Sequence, residues 1–496
     1  MPLTDTQHPT THPADNRDHT TATSYVHSLP ATRRKAQGIH FTPPNLVRHL
    51  LTRLEVHGFD FIHHAVQDPS AGGAAFLLPL VHRITTRLLA SGASHADVRE
   101  VLLRRVHGTD IAPDLTRLAN TLIRQALLRD HGIETPKSFA LVKCADALRT
   151  RLPATDIVLG NPPYVKVSAA DHSGLARRFS DILGGQLNLY ALFLRRALDI
   201  VQPGGLVGFI VPTSFLQGPA FRTLRIALTA RADLLALDLI DRRRGAFTGV
   251  TQDTCFVVLR RHEAEEVRHD VETQCAILHA DGTCMPTGTF IAARDGTPWR
   301  LPSLEVLPVG GHVLADLGYR VGVGHFVPHK HAERLTNAEH PFAVPLVTDS
   351  CVRSDGSFDL GRAESRYVAV PMDASYVARG PCVVVRRTAN RKQARQLSAA
   401  AVPPEVVARG GVVGENHVLL LTSDGNPRVS PEGLARLLNS GPVNRRWGLT
   451  CGTGSVSAQV LRGLDLPGGE TLVGLDVLPS DEVDEAVRMA YAASKP

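Results

Sequence analysis

Short apolar runs alternate with longer stretches of helical periodicity between residues 38 and 261, and this alternation restricts the fold more than any other feature of the chain. A strand covered by helices on both faces must be apolar throughout, and parallel neighbours need a helical crossover between them. Residues 62–67, 106–109, 139–142, 157–159, 206–211, 234–240 and 255–259 read as strands, and 45–54, 115–129 and 188–201 as helices. Gly132 and Pro203-Gly204-Gly205 supply helix stops. The pattern predicts an α/β domain built on a seven-stranded, mostly parallel sheet.

From about residue 300 the texture changes to short β-rich runs broken by Gly, Pro and Asp, with only 431–439 and 482–493 helical in spacing. A chain of 496 residues exceeds one ordinary core. The expected organisation is a flexible tail at 1–30, the α/β domain at 31–261, a polar linker or peripheral hairpin at 262–300, and a β-rich α+β domain at 301–496. No apolar run is long enough for a membrane span, and the polar N-terminus lacks the apolar stretch of a secretory signal, so a cytoplasmic protein is expected. The seven cysteines form no C-x-x-C pair, which reads as reduced thiols with no metal. A formal charge of +6 is compatible with a polyanionic partner but does not by itself point to one.

Gln67-Asp68-Pro69-Ser70-Ala71-Gly72-Gly73-Ala74-Ala75-Phe76 joins an apolar strand to an apolar helix through small residues. Such a turn aims helix N–H groups at a ligand and lets it approach the backbone, although a plain strand–turn–helix corner uses the same residues. Asp110 and Asp146 end the next two strands. One acid there can accept hydrogen bonds from ribose hydroxyls and the other from an adenine amino group; each reads also as a solvated loop acid or a helix N-cap. Their shared place at the carboxyl ends of successive strands favours the ligand reading, because open α/β sheets bind along that edge.

Residues 156–164, Asp-Ile-Val-Leu-Gly-Asn-Pro-Pro-Tyr, form a buried strand that runs into an amide, two prolines and an aromatic ring. An exocyclic adenine amine is a weak nucleophile because its lone pair is delocalised into the ring. The Asn161 oxygen and the Pro162 carbonyl can each accept one N–H, which favours a tetrahedral nitrogen with its lone pair aimed at a sulfonium methyl group; the prolines hold that carbonyl in place. Tyr164 offers a ring face for the base, a stack worth about 1–3 kcal/mol. A proline-rich turn with a surface tyrosine is the bland alternative.

Together these residues resemble the gamma-class, TaqI-like N6-adenine DNA methyltransferases with a C-terminal target-recognition domain. Gly38-Ile39-His40-Phe41-Thr42-Pro43 is similar to that family's G-x-x-[FY]-T-P motif, 68–76 to its D-P-A-C-G-S-G-A-F loop, and Asn161-Pro162-Pro163-Tyr164 to its N-P-P-Y tetrapeptide. The resemblance implies the S-adenosylmethionine-dependent methyltransferase fold, S-adenosylmethionine as cofactor, and double-stranded DNA as partner, with the target adenine rotated out of the duplex. It implies cofactor contacts from Phe41, Thr42, Pro43, Asp68, Ser70, Gly72, Gly73, Asp110, Ile111, Asp146, Ala147 and Asn161. It also implies catalytic roles for Asn161, Pro162 and Tyr164, with Phe247 of the 245–251 segment packing on the flipped base; a buried core phenylalanine is the other reading of Phe247. Ala74 stands where the family's loop usually has its last glycine, and its methyl group could crowd the cofactor.

In 301–496 the similarity to the family's recognition domains is looser. Gly322-Val323-Gly324-His325-Phe326 looks like a loop entering the DNA cleft, and Glu415-Asn416-His417 and Asn439-Ser440 complete the similarity. Arg386, Arg387, Arg391 and Lys392 suit phosphates or guanine edges, and Arg242 and Arg243 can line the same cleft, although each basic run reads equally as a solvated face. The expected protein is a monomeric, site-specific adenine methyltransferase, the modification component of a restriction-modification or related defence system, with or without a separately encoded endonuclease. Protein-glutamine methyltransferases also present N-P-P-Y to a planar amide; the long segment after the first domain here favours DNA.

Overall fold

The computed structural model describes residues 13–38, 42–167, 169–182, 188–240, 254–263, 270–279, 282–299, 301–302, 310–337, 343–371, 374–387, 395–423, 425, 427–450 and 456–494. They fall into two compact units, 1–302 and 303–496.

The first unit is built on a sheet of nine strands among the described residues. Its strands are β1 (Val66–Asp68), β2 (Val106–Asp110), β3 (Val142–Cys144), β4 (Thr155–Gly160), β5 (Val201–Pro212), β6 (Ala232–Ile240), β7 (Thr254–Arg261), β8 (Glu272–Leu278) and β9 (Cys284–Ile291), in the order β3-β2-β1-β4-β5-β7-β6-β8-β9. β3, β2, β1, β4 and β5 run parallel, β7 is antiparallel to β5 and β6, and β8 returns parallel to β6. From β1 the chain winds outward to β2 and β3, then crosses back to β4 on the other side of β1. This reversal opens a crevice at the carboxyl ends of β1 and β4, the place where such sheets hold ligands.

Two expectations need correcting. The sheet has nine described strands instead of seven, because 262–300, read as a linker or a peripheral hairpin, supplies the β8–β9 hairpin and adds it to the sheet, and Trp299 is buried in the core under it. The tail expected to be flexible is helical over Pro13–Ser28. Ala22 and Val26, one helical turn apart, are both buried, and Tyr25 Oη and Arg33 Nη2 each donate to the Asp114 carboxylate at 2.8 Å. Two well-placed apolar residues and one acid order a segment whose composition alone argues for solvent.

The helix Pro44–Val56 starts with proline in its first turn, where no N–H is needed, and buries Leu46, Val47, Leu50, Leu51 and Leu54. It also carries a buried ionic link. Arg53 donates through Nε and Nη2 to the two Asp238 oxygens at 2.7 and 2.9 Å, His49 Nε2 lies 2.7 Å from Oδ2, and Arg53 Nη1 donates to Gln274 at 3.1 Å. Helix, β6 and β8 are thereby tied by one network. Burial alone would raise the Asp238 carboxyl's pKa, but the His49 bond and the Arg53 charge outweigh it and hold it below the usual range. Cys284 joins His49 and Asp238 at a spacing that could hold a metal ion, yet Arg53 already occupies both carboxylate oxygens with a cation.

The second unit contains two four-stranded sheets. β10 (Arg320–Val323), β14 (Cys382–Arg386), β15 (Ala399–Ala401) and β17 (Val418–Thr422) form one, in the order β10-β17-β14-β15. β11 (Leu335–Thr336), β12 (Ala343–Val347), β13 (Tyr367–Ala369) and β16 (Val413–Gly414) form the other, in the order β11-β13-β12-β16. The first sheet shares a core with the helices Pro431–Asn439, Gly441–Thr450 and Val483–Ala493 around Trp447 and Tyr491. Gly441–Thr450 was not expected to be helical, since Ser440-Gly441-Pro442 reads as a breaker; here Pro442 sits in the first turn, and the Ser440 hydroxyl accepts from Val443 N.

Candidate functional site

The turn after β1 is held from below. Asp68 is fully buried at the strand end and accepts Ser70 N at 3.0 Å, while Gln67 Nε2 donates to the Asp68 carbonyl and to Thr109 Oγ1. Gly160, the last residue of β4, has φ +152°, and a Cβ there would stand 2.7 Å from Asp68 Oδ1. Glycine at 160 therefore lets the tetrapeptide Asn161-Pro162-Pro163-Tyr164 leave β4 directly against the β1 turn. The sequence reading had given Gly160 no part; a glycine ending an otherwise β-branched and apolar strand was the available signal.

Burial, with the Asp110 charge adding to it, pushes the Asp68 carboxyl up to about 8. The folded protein thus keeps a proton on Asp68 that the unfolded chain loses near pH 4. The resulting stability is full below that pH and is lost as pH rises through the folded value near 8. Asp68→Asn is expected to flatten this slope: wild type loses on the order of a few kcal/mol relative to the variant between pH 5 and 8, read by thermal unfolding at each pH.

Above the turn, Gly72 N and Ala112 N each donate to Asp110 at 2.8 Å, and Ala71 N donates to Thr109 O at 3.0 Å. Asp110 therefore pulls the turn onto β2 and retains lone pairs on both oxygens. Gly72 has φ +52° and a Cβ there would meet nothing nearer than 4.0 Å, so the loop presents an open cradle. Ser70 Oγ is buried without a partner in the fold, and Ile111 is 66% exposed beside Asp110. An orphaned hydroxyl, an open glycine cradle, a partly satisfied acid and an uncovered apolar side chain fit a nucleoside with a charged tail. Ala74, expected to crowd that space, takes φ 66° and is wholly buried in the core, so its methyl group points away. The left-handed backbone costs an alanine about 1 kcal/mol that glycine would not lose.

Asp146 follows β3 and caps its own turn: Oδ1 accepts Leu148 N at 2.9 Å, and Arg149 Nε lies 3.2 Å from Oδ2. These bonds close a short turn, and no helix follows for Asp146 to cap. Ala147 is buried in the core and its carbonyl accepts Arg196 Nε at 3.1 Å, so its side chain offers the crevice nothing. Gly73 is buried within the turn, and Pro43 precedes the helix Pro44–Val56 as its N-cap.

At the tetrapeptide, Asn161 Nδ2 donates to the buried Thr42 Oγ1 at 3.1 Å, and Tyr164 Oη lies 2.5 Å from Asn161 Oδ1 and 3.1 Å from Ile210 O. Pro162 is buried; Gly38, with φ +62°, packs so closely that a Cβ would meet Val165 and Pro163. Tyr164 is half-buried with its ring edge-on to Tyr190. Its hydroxyl holds the asparagine amide, a use the sequence reading did not foresee when it gave Tyr164 only a stacking face. Phe41, Phe247, Arg242, Arg243, Arg391 and Lys392 lie outside the described residues.

Residues 129–242, which contain β4 and the tetrapeptide, match the family model of the Eco57I restriction-modification methylases. That stretch of the chain is similar to an Eco57I-type restriction-modification methylase domain. It is 26% identical over 332 residues to the Type II methyltransferase M.BsuBI of Bacillus subtilis, covering 64% of this chain and 66% of that protein. It is 28% identical over 218 residues to the Type II methyltransferase M.XhoI of Xanthomonas vasicola, covering 42% and 40%. The chain thus matches about two thirds or less of these relatives' length. In fold it is similar to the Type IIL restriction-modification enzyme MmeI in complex with DNA, with TM-score 0.58 at 13% identity over 97% of this chain and 79% of that one. It is also similar to DrdV of a DrdV–DNA complex, with TM-score 0.53 at 12% identity over 94% and 60%.

In the second unit, three segments singled out from sequence converge. Phe326 N donates to Gly414 O, Asn416 N to Phe326 O, and a Cβ on Gly324 would collide with Glu415 O. Arg387 N donates to His417 O and its Nη1 to Asn416 O at 2.6 Å, while Arg386 Nη2 lies 3.8 Å from Asp349. Nε of both arginines is buried without a partner. His325 is exposed and stacks on Tyr376, with ring centroids 4.3 Å apart. Asn439 and Ser440, by contrast, are buried, with the Asn439 amide pairing both polar groups of Ala399, so these two serve the core.

Proposed function

We propose that the chain transfers a methyl group from S-adenosylmethionine to N6 of an adenine flipped out of double-stranded DNA. The observation that carries this reading is the Asn161 amide, held by Thr42 and Tyr164 at the end of β4 and directly against the β1 turn. When bound, the cofactor supplies an electrophilic methyl on a sulfonium. Asp68, Ser70, Gly72 and Gly73 of the turn, with Asp110, Ile111 and the 41–43 strap, would hold it; Asp146 and Ala147 border the adenine end through main-chain groups. Asn161 Oδ1 keeps one lone pair beyond the one facing Tyr164, and with the Pro162 carbonyl it accepts the two N6 hydrogens. The nitrogen lone pair then leaves the ring plane and aims at the methyl group, and the proton departs after transfer. Phe247 and the Tyr164 ring bracket the base.

Arg386, Arg387, Arg391 and Lys392 of the second unit, with Arg242 and Arg243, contact the DNA, phosphates first and base edges second. The chain acts as the modification component of a restriction-modification or related defence system in the cytoplasm.

Expression in a methylation-deficient host followed by long-read sequencing is expected to show N6-methyladenine in one short motif. Unmodified adenine throughout would refute the reading. Asp110→Ala is expected to raise the cofactor Kd about 10- to 100-fold in calorimetry, because two ribose hydroxyls lose a charged acceptor.

A further inference from the structure

We propose that residues 31–38 form an arm across the cofactor seat, latched to Asp114 by Arg33 and Tyr25, and that cofactor enters and leaves only when this latch is open; the proposal rests on the cofactor reading above. The two ends of the arm fix its course. Arg33 Nη2, in the helix Ala31–Gln37, donates to Asp114 Oδ1 at 2.8 Å, and Asp114 lies in the first turn of the helix that follows β2. Gly38, which ends the arm, packs on the residues that follow β4: a Cβ there would stand 2.8 Å from the Val165 side chain and 3.0 Å from that of Pro163. β1 lies between β2 and β4 in the sheet, so the arm passes in front of the carboxyl end of β1, where the 68–76 turn opens its cradle. The lengths agree. Two strand spacings are about 10 Å, and five steps of about 1.5 Å along a helix, with an arginine side chain at one end, cover that span.

Charge holds this arm more than apolar burial does. None of Ala31, Thr32, Arg33 and Arg34 is buried. The preceding helix, Pro13–Ser28, buries Ala22 and Val26, and its Tyr25 hydroxyl donates to Asp114 Oδ2 at 2.8 Å. Arg34 Nη1 donates to the carbonyls of His27 and Leu29, which ties the two helices into one body. Both therefore close on one carboxylate. The Arg33 bond, helped by that of Tyr25, holds the Asp114 carboxyl down at about 2, so the latch is charged throughout the neutral range. A part-exposed ion pair opens far more readily than a packed core, which suits a segment that must move. Weakening the latch raises the open fraction of the free and the loaded protein alike, so entry and exit quicken together and the equilibrium constant stays where it was. A residue that gripped the cofactor itself would slow its exit alone.

Arg33→Gln and Tyr25→Phe each remove one bond of the latch without altering a residue of the cofactor seat. Both rate constants for S-adenosylmethionine, kon and koff, are followed with labelled cofactor and a chase of unlabelled S-adenosylhomocysteine. Each variant is expected to raise the two together about three- to tenfold while the calorimetric Kd stays within about twofold, and Arg33→Lys is expected to keep both rates within about twofold of wild type. Backbone hydrogen exchange at Arg34 and Gly38, whose N–H groups bond Pro30 O and Arg34 O, is expected to quicken in both variants and to slow when cofactor is bound. Unchanged rates with faster exchange would show an arm that lies clear of the exit, and a rise in koff matched by Kd would show residues that grip the cofactor themselves. Either result overturns the proposal, as does an arm whose exchange Arg33→Gln leaves unaltered. Failure of the underlying reading looks different: the wild-type protein then binds no S-adenosylmethionine.

Discussion

Replacing Asn161 by alanine is expected to lower kcat for methyl transfer at least about a thousandfold while the cofactor Kd stays within about twofold. The amide is the side-chain acceptor at the end of β4, and its removal leaves the Pro162 carbonyl alone against an amine with two hydrogens. Tyr164 can donate to Ile210 O instead, while the buried Thr42 hydroxyl loses the bond it accepts from Nδ2. Single-turnover transfer to an adenine-containing duplex, with calorimetry of the cofactor alone, separates the two parameters. Activity within tenfold of wild type would rule out the amide clamp.

The largest stability effect is expected at Asp238. Asp238→Ala leaves the Arg53 guanidinium, itself 4% exposed, without its carboxylate, and should destabilise the first unit by about 3–5 kcal/mol. At about 2–4 °C per kcal/mol for a domain of this size, thermal unfolding should fall by roughly 10 °C. Asp238→Leu combined with Arg53→Met removes both charges and should recover most of the loss, since the penalty lies in the stranded cation and not in the absence of a pair. Equal losses in the single and the double variant would show that the network's worth is packing alone.

Much of the first unit was legible because its central strands are apolar on both faces. β2, β4, β6 and β7 lie within a few residues of their expected places, and the helices Pro44–Val56 and Pro113–His131 follow their periodicity and stops. The expected strand at 62–67 is mostly a turn instead: Asp60 Oδ1 accepts from Ile62 N and His63 N, and that local bonding prevails over the apolar run until Val66. β8 and β9 were legible only as one of two readings. As the outermost strands they are half exposed and mix apolar with polar residues, so the segment reads equally as a linker or as a peripheral hairpin.

The candidate site divides in the same way. The Asn-Pro-Pro-Tyr tetrapeptide, the small-residue turn and the acid after β2 are local demands on residue type, and a strand-end position in the sequence is enough to reveal them. What holds them was decided by tertiary structure: Thr42 against Asn161, Asp68 under Gly160, and Asp238 between His49 and Arg53 join residues roughly 90 to 190 positions apart. Periodicity reports which face of an element is buried, and it carries no register between distant segments. Hydrogen bonds and ion pairs depend on that register to within about an ångström, so the chemistry of the site could be read from the chain, while the orientation of its amide and the protonation of its buried acid could not.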